Sequence, residues 1–150
     1  MSTSANQSGG RLGRLTHLGA AVLTGALMIA GAVYAAGPDT SLDRSTDQGV
    51  FHVQLNSAVT PIPMSKVHRW TVHLTDAAGR PVNGAELSVD GGMPEHGHGL
   101  PTAPRATPAA TPGDYVINGV KFSMTGWWEL KLKVRAPDGR SDRITFNVVL

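Results

Sequence analysis

From residue 50 to the C-terminus, hydrophobic residues recur at every second position in short runs, and Gly, Pro, Asn and Asp separate the runs at even spacing. Before residue 38 there is one long uncharged apolar stretch. Together these observations predict an all-β fold, an immunoglobulin-like antiparallel β-sandwich of about seven strands, preceded by one N-terminal hydrophobic helix. No internal repeat and no amphipathic helical pattern competes with that reading.

Residues 1–14 are a polar, basic lead-in: Ser, Gly, Asn and Gln without hydrophobic periodicity, then Arg11 and Arg14. Residues 15–36 form the signal or anchor segment. Its middle, Leu18 to Ala35, contains only apolar and small residues apart from Thr24 and Tyr34, and it approaches the ~20 residues that cross a bilayer as a helix. The ending Val33-Tyr34-Ala35-Ala36 suits signal cleavage after Ala35. The run exceeds the usual ~7–15-residue core of a signal peptide, which suits an uncleaved anchor equally well. In both cases the arginines stay inside and the chain beyond Asp39 is exported, single-pass on the extracytoplasmic (periplasmic) side of a cell membrane or free in the periplasm. Residues 37–49 are polar and turn-rich and read as a linker.

The β-sandwich domain is expected over residues 50–150. Val50–Leu55 is a short strand with Phe51, Val53 and Leu55 on one face. In Val67–Thr75, His68, Trp70, Val72 and Leu74 share the core face, and residues 76–81 close the strand with a turn. Ala85–Asp90 alternates again, with Ala85, Leu87 and Val89 inward. Residues 91–113 break the pattern and read as a long loop, or a loop carrying a short edge strand. Asp114–Val120 resumes strand, and Trp127–Arg135 puts Trp128, Leu130, Leu132 and Val134 inward. Pro137-Asp138-Gly139-Arg140 turns the chain into Arg143–Leu150, completing a C-terminal hairpin.

Charge and composition exclude several functions. The net charge of +2 comes from 13 basic and 11 acidic residues, so without Arg11 and Arg14 the exported part balances at 11 against 11. It therefore lacks the clustered cationic surface that nucleic acid requires. With no cysteine, there is no disulfide, no thiol nucleophile and no thiolate for a tight tetrahedral zinc site. No Gly-x-Ser-x-Gly elbow and no lysine-bearing phosphate loop is present, so the chain is not expected to be an enzyme.

One constellation carries chemistry: Gly91-Gly92-Met93-Pro94-Glu95-His96-Gly97-His98-Gly99-Leu100-Pro101-Thr102. A His-x-His pair can bring two imidazoles, His96 and His98, to one ion, and Met93 adds a thioether. Met124, in Phe122-Ser123-Met124-Thr125-Gly126-Trp127-Trp128, can add a second if that turn lies beside the loop. Imidazole with thioether suits copper, because soft sulfur prefers Cu(I) while imidazole also accepts Cu(II). Against this stands a plain alternative, in which the two histidines are solvated or brace a tight turn. A cupin-type site would need a carboxylate shortly after the His-x-His, and residues 99–107 hold none. His68 reads as a core histidine and Met64 as a remote candidate, His73 faces away from His68, and His52 and His17 lie elsewhere. Trp128 is expected in the core. Trp127 is either exposed, as the contact point for a membrane partner, or a lid over the loop.

The blocks Met93–Thr102 and Gly113–Leu130, with Trp70-Thr71-Val72-His73-Leu74-Thr75-Asp76 and Gly79-Arg80-Pro81-Val82-Asn83-Gly84-Ala85 upstream, resemble the FixH/YtkA-like family across residues 66–135. That resemblance implies a small β-sandwich behind one membrane-spanning or signal segment. FixH is associated with assembly of a cbb3-type cytochrome oxidase alongside a copper-transporting ATPase, so the resemblance implies an oxidase-assembly partner in the membrane. It marks Met93, His96, His98 and Met124 as the positions to test. The chain departs from FixH in its longer polar lead-in.

Overall fold

The computed structural model describes residues 37–150; the expected lead-in (1–14) and hydrophobic helix (15–36) lie outside the described residues. The described chain is all-β, with nine strands: β1 (Asp43–Ser45), β2 (Phe51–Ser57), β3 (His68–Asp76), β4 (Glu86–Met93), β5 (His98–Gly99), β6 (Arg105–Pro108), β7 (Asp114–Val120), β8 (Trp127–Arg135) and β9 (Ser141–Val149). They form a five-stranded sheet in the order β1-β2-β3-β7-β6 and a four-stranded sheet in the order β5-β4-β8-β9. Every pairing is antiparallel.

The core follows from the period of two. Phe51, Val53, Leu55, Trp70, Val72 and Leu74 are buried on the five-stranded sheet, and Trp128, Leu130, Leu132, Val134, Ile144 and Phe146 on the other. Each such side chain removed from water contributes roughly 1.5–3 kcal/mol before conformational entropy is set against it. Tyr115 joins this core and satisfies its hydroxyl there. It accepts from the Ala85 amide at 2.8 Å and donates to the Val82 carbonyl at 2.7 Å, pinning the β3–β4 connection to β7.

Two expectations need correction. Residues 43–49 are not linker. Asp43, Arg44 and Ser45 pair with Gln54, Val53 and His52, the Asp47 amide donates to the Arg143 carbonyl, and Asp142 accepts from the Gln48 and Val50 amides. This segment thus stitches the edge of one sheet to the edge of the other. The stretch 91–113 is not one unbroken loop but, in line with its alternative reading, loop carrying short edge strands, and β4 also extends past Asp90. β4 runs on through Gly91 and Gly92 to Met93, and β5 and β6 follow, which raises the strand count above seven. The two glycines sit in the ladder because nothing larger fits. A Cβ at Gly91 would fall 2.3 Å from the Glu129 carbonyl oxygen, and one at Gly92 2.4 Å from that of His98.

Candidate functional site

The strand directions bring the β2–β3 loop (58–67), the β4–β5 turn (94–97), the β7–β8 loop (121–126) and the C-terminal residue to one end of the sandwich. Met64 bridges to Phe122, the Ser65 amide donates to the Phe122 carbonyl, and Gly126 exchanges backbone hydrogen bonds with Leu150. All three methionines of the described residues (Met64, Met93 and Met124) lie at this end with His68, His96 and His98.

The β4–β5 turn is tight: the Met93 carbonyl accepts from the amides of both His96, at 3.1 Å, and Gly97, at 3.0 Å. Gly97 takes φ 66°, the left-handed conformation that glycine adopts at least cost. The turn pairs Met93 with His98 across the ladder, so their side chains share one side of the sheet. One step beyond the Gly92–Glu129 pair, the register carries that row on to Trp128, which pairs with Val148. His98 is therefore at the rim of a row whose inner members are Met93 and Trp128.

The contacts agree with that placement. The His98 ring meets the Trp128 ring edge-on, centroids 5.6 Å apart, and His96 lies alongside with centroids 6.0 Å apart and planes 35° apart. His98 Nδ1 is 3.1 Å from the Gly99 carbonyl. A carbonyl only accepts, so Nδ1 is the donor here, which makes Nε2 the nitrogen that would face a metal. Both histidines are exposed. Met124 is 42 % exposed, and its carbonyl accepts from Trp128 Nε1 at 3.0 Å. Trp128 thus touches His98 through its ring and Met124 through its indole nitrogen. Met93 differs from the other three candidates. It is 1 % exposed, and its methyl group caps Gly126, where a Cβ would lie 2.9 Å away. Its thioether sits beneath the hairpin.

The remaining candidates separate cleanly. His68 is a core histidine with both nitrogens occupied: Nε2 accepts from Trp70 Nε1 at 2.9 Å and Nδ1 donates to the Lys66 carbonyl at 3.1 Å. Trp128 is buried as expected. Trp127 is half-buried and donates to Asn147 Oδ1 at 2.9 Å across the outer surface, so the tryptophan against the His-x-His turn is Trp128. Met64 is half-buried in an apolar cleft with Ile62 and Leu150. His17 lies outside the described residues.

One feature escaped sequence reasoning, because strand register is invisible in a linear chain. Asp43, Gln54, His73 and Asp114 pair successively across four strands on the outer face of the five-stranded sheet. His73 Nδ1 is 2.6 Å from Asp114 Oδ1, while Asp43 is held by Gln54 and His52 and its carboxyl lies below the usual range for that reason. Among the described residues no three His, Cys, Asp or Glu side chains cluster closely enough to hold a metal. A copper site at the loop end would therefore depend on imidazole and thioether together. A surface hollow of about 830 Å³ over the outer face of β4, β8 and β9 contains none of the methionines or histidines.

Comparison with known proteins agrees with the fold. No curated protein matches the chain. Among solved structures, the chain is similar to a DUF4426 family protein from Pseudomonas aeruginosa PAO1, with a TM-score of 0.51 and 17 % identity over 68 % of this chain and 91 % of that one. The ZirS C-terminal domain aligns more loosely, with a TM-score of 0.39 and 14 % identity over 94 % of this chain and 100 % of that one. The sequence matches the YtkA-like family over residues 47–133, more than half of its length and spanning the core, the His-x-His turn and the Met124 loop. The chain belongs to the YtkA-like family.

Proposed function

We propose that this domain is a non-catalytic, extracytoplasmic copper-binding or copper-handling module of immunoglobulin-like topology, working on the outer side of a membrane in the assembly of a respiratory oxidase. The observation that carries the reading is the His96–His98 pair at one rim, with Nδ1 of His98 directed at the Gly99 carbonyl and Nε2 left as its ligating nitrogen. His96, His98 and Met124 are the residues that would hold the ion, and Met93 supports His98 from beneath. A soft thioether beside two imidazoles gives Cu(I) its preference over harder ions while still accepting Cu(II). The immunoglobulin-like assignment is supported by the two sheets and by the interleaving of β3, β7 and β6 with β4, β8 and β9.

The test is a copper titration of residues 37–150, a compact unit with its own core, under reducing and then oxidising conditions. One saturable site is expected, lost in the His96→Ala/His98→Ala double variant. Met124→Leu should weaken Cu(I) more than Cu(II). Binding that survives the double variant, or no binding at all, removes the proposal and leaves the histidines as turn residues.

A second reading, a metal-free module that binds a membrane partner through the Trp127 region, draws support from the cross-strand pair of half-buried Trp127 with exposed Val149. In that case Trp127→Ala abolishes partner capture and the histidine variants do not.

A further inference from the structure

The exposed surface is strongly polarised. Among the described residues the exposed large hydrophobics are Val59, Val67, Met124 and Val149. All four lie at the loop end: two in the β2–β3 loop, one in the β7–β8 loop and one at the end of β9. An apolar cleft of about 600 Å³, lined by Leu42, Ile62, Met64 and Leu150, opens at the same end. Soluble domains rarely gather their exposed apolar side chains in this way unless something covers them.

In the loops and turns charge follows the same axis, although exposed Lys133 and Arg135, toward the far end of β8, also form no ion pair among the described residues. Lys66 and Lys121 in the loops, with Arg69 and Arg105 where β3 and β6 begin, form no ion pair among the described residues, and the only acid in these loops is Glu95. In the turns of the opposite end, Arg80 and Arg140 are both bonded to aspartates, Asp76 and Asp138. Unpaired cations around an apolar tip match a surface that is itself apolar under a layer of negative charge.

The path of the chain supplies a second argument. β1 runs antiparallel to β2 and starts at the loop end, where Leu42 lines the cleft and the Asp39 carbonyl accepts from Asn147. The chain therefore enters the domain at its apolar, basic end. In sequence, residues 36–42 lie between that entry and the apolar stretch 18–35.

We propose that the loop end of this domain docks on a lipid bilayer bearing anionic phospholipid, with Val59, Val67 and Val149 entering the headgroup region and Lys66 and Lys121 meeting the phosphates. The proposal stands apart from the copper reading, and its test touches none of His96, His98 or Met124.

Because the chain has no cysteine, single cysteines placed by Val59→Cys, Val67→Cys and, at the opposite end, Ala78→Cys take unique nitroxide labels. The full chain is reconstituted into phosphatidylcholine vesicles with or without phosphatidylglycerol, and each label is probed with oxygen and with a water-soluble nickel chelate. With phosphatidylglycerol, labels at 59 and 67 should become rich in oxygen and shielded from the chelate, while the label at 78 stays open to it. Lys66→Gln and Lys121→Gln should each lower the ratio of docked to undocked label roughly fivefold. Equal chelate access at 59, 67 and 78 in those vesicles overturns the proposal. Shielding in native membranes but not in pure lipid also overturns it, and identifies a membrane protein as the occupant.

Discussion

Met93 and Met124 are the two thioethers that residue chemistry groups with the His-x-His turn, yet the fold gives them opposite surroundings, and this difference can be measured. Met93 is 1 % exposed, packed between Gly126 and the Trp128 row, so Met93→Ala removes three buried heavy atoms and leaves a cavity. Such truncations cost about 2–5 kcal/mol. For a domain of this size that lowers Tm by roughly 10–20 °C, a large share of the ~5–15 kcal/mol that holds a domain folded. Met93→Leu keeps the volume and should cost less than about 1.5 kcal/mol. Met124 is 42 % exposed, and Met124→Leu should change stability by no more than about 0.5 kcal/mol. Thermal unfolding followed by circular dichroism gives the three stabilities, and competition with a Cu(I) chelator gives the affinities. The expected pattern is crossed: Met93→Leu keeps Cu(I) affinity and Met124→Leu loses it. A folded Met93→Leu variant that loses Cu(I) as completely as the double histidine variant would refute this reasoning, since a buried sulfur would then be the ligand.

Trp128 lies 5.6 Å from His98, so Cu(II) should quench tryptophan fluorescence, and Trp128→Phe should remove most of that quench; quench that is unchanged in Trp128→Phe would place the metal elsewhere. Tyr115→Phe leaves the buried Val82 carbonyl and Ala85 amide without their partner and should cost about 1–3 kcal/mol in denaturant unfolding. Acid stability should depend on two carboxyls. Hydrogen bonds from the Arg80 side chain and amide hold Asp76 at about 2; at Asp142, burial pushes the pKa upward but hydrogen bonds from Thr46 and from the amides of Arg143, Gln48 and Val50 outweigh it and keep it low. Both folded pKa values lie below the ordinary 3.8, so their contribution is present above that pH and is lost as pH falls through the folded values. Unfolding monitored between pH 5 and pH 2, on scales set by that value of about 2, should show a decline that Asp142→Asn and Asp76→Asn reduce; an unchanged acid midpoint in both would contradict the assignment.

Where period two was long and unbroken, sequence and structure coincide: Trp127–Arg135 and Asp114–Val120 have the same bounds in both, and the inward residues of β2, β3 and β8 are those the alternation names. The misses have one cause. β1, β5 and β6 contain only two to four residues each, too few for alternation to register, and each exists because a longer neighbour offers an unpaired edge. Gly91 and Gly92 looked like loop residues by composition. Their role is close packing of β4 against β8 and β5, which is decided by register and not by propensity. Likewise His73–Asp114 and the row beside it depend on pairings up to 41 residues apart.

The candidate site was legible in its parts and not in its arrangement. Residue chemistry picked out His96, His98, Met93 and Met124, but which thioether faces water turns on a two-residue strand. β5 pairs His98 with Met93, and pairing fixes both to the same side of the sheet. Met93 is next to β8 and is covered by it, whereas His98 sits on the edge strand with nothing beyond it and is left at the rim. A shift of one residue in this pairing would turn His98 to the outer face, away from Trp128, and bring Gly97 opposite Met93. The turn that prevents the shift depends on Gly97 at φ 66° and on the Met93 carbonyl accepting two amides. The chemistry of the rim therefore rests on Gly97 as much as on the histidines. A β-branched residue there, as in Gly97→Val, would strain the left-handed conformation and release the register, uncoupling His98 from the Trp128 ring while the two large sheets stay paired.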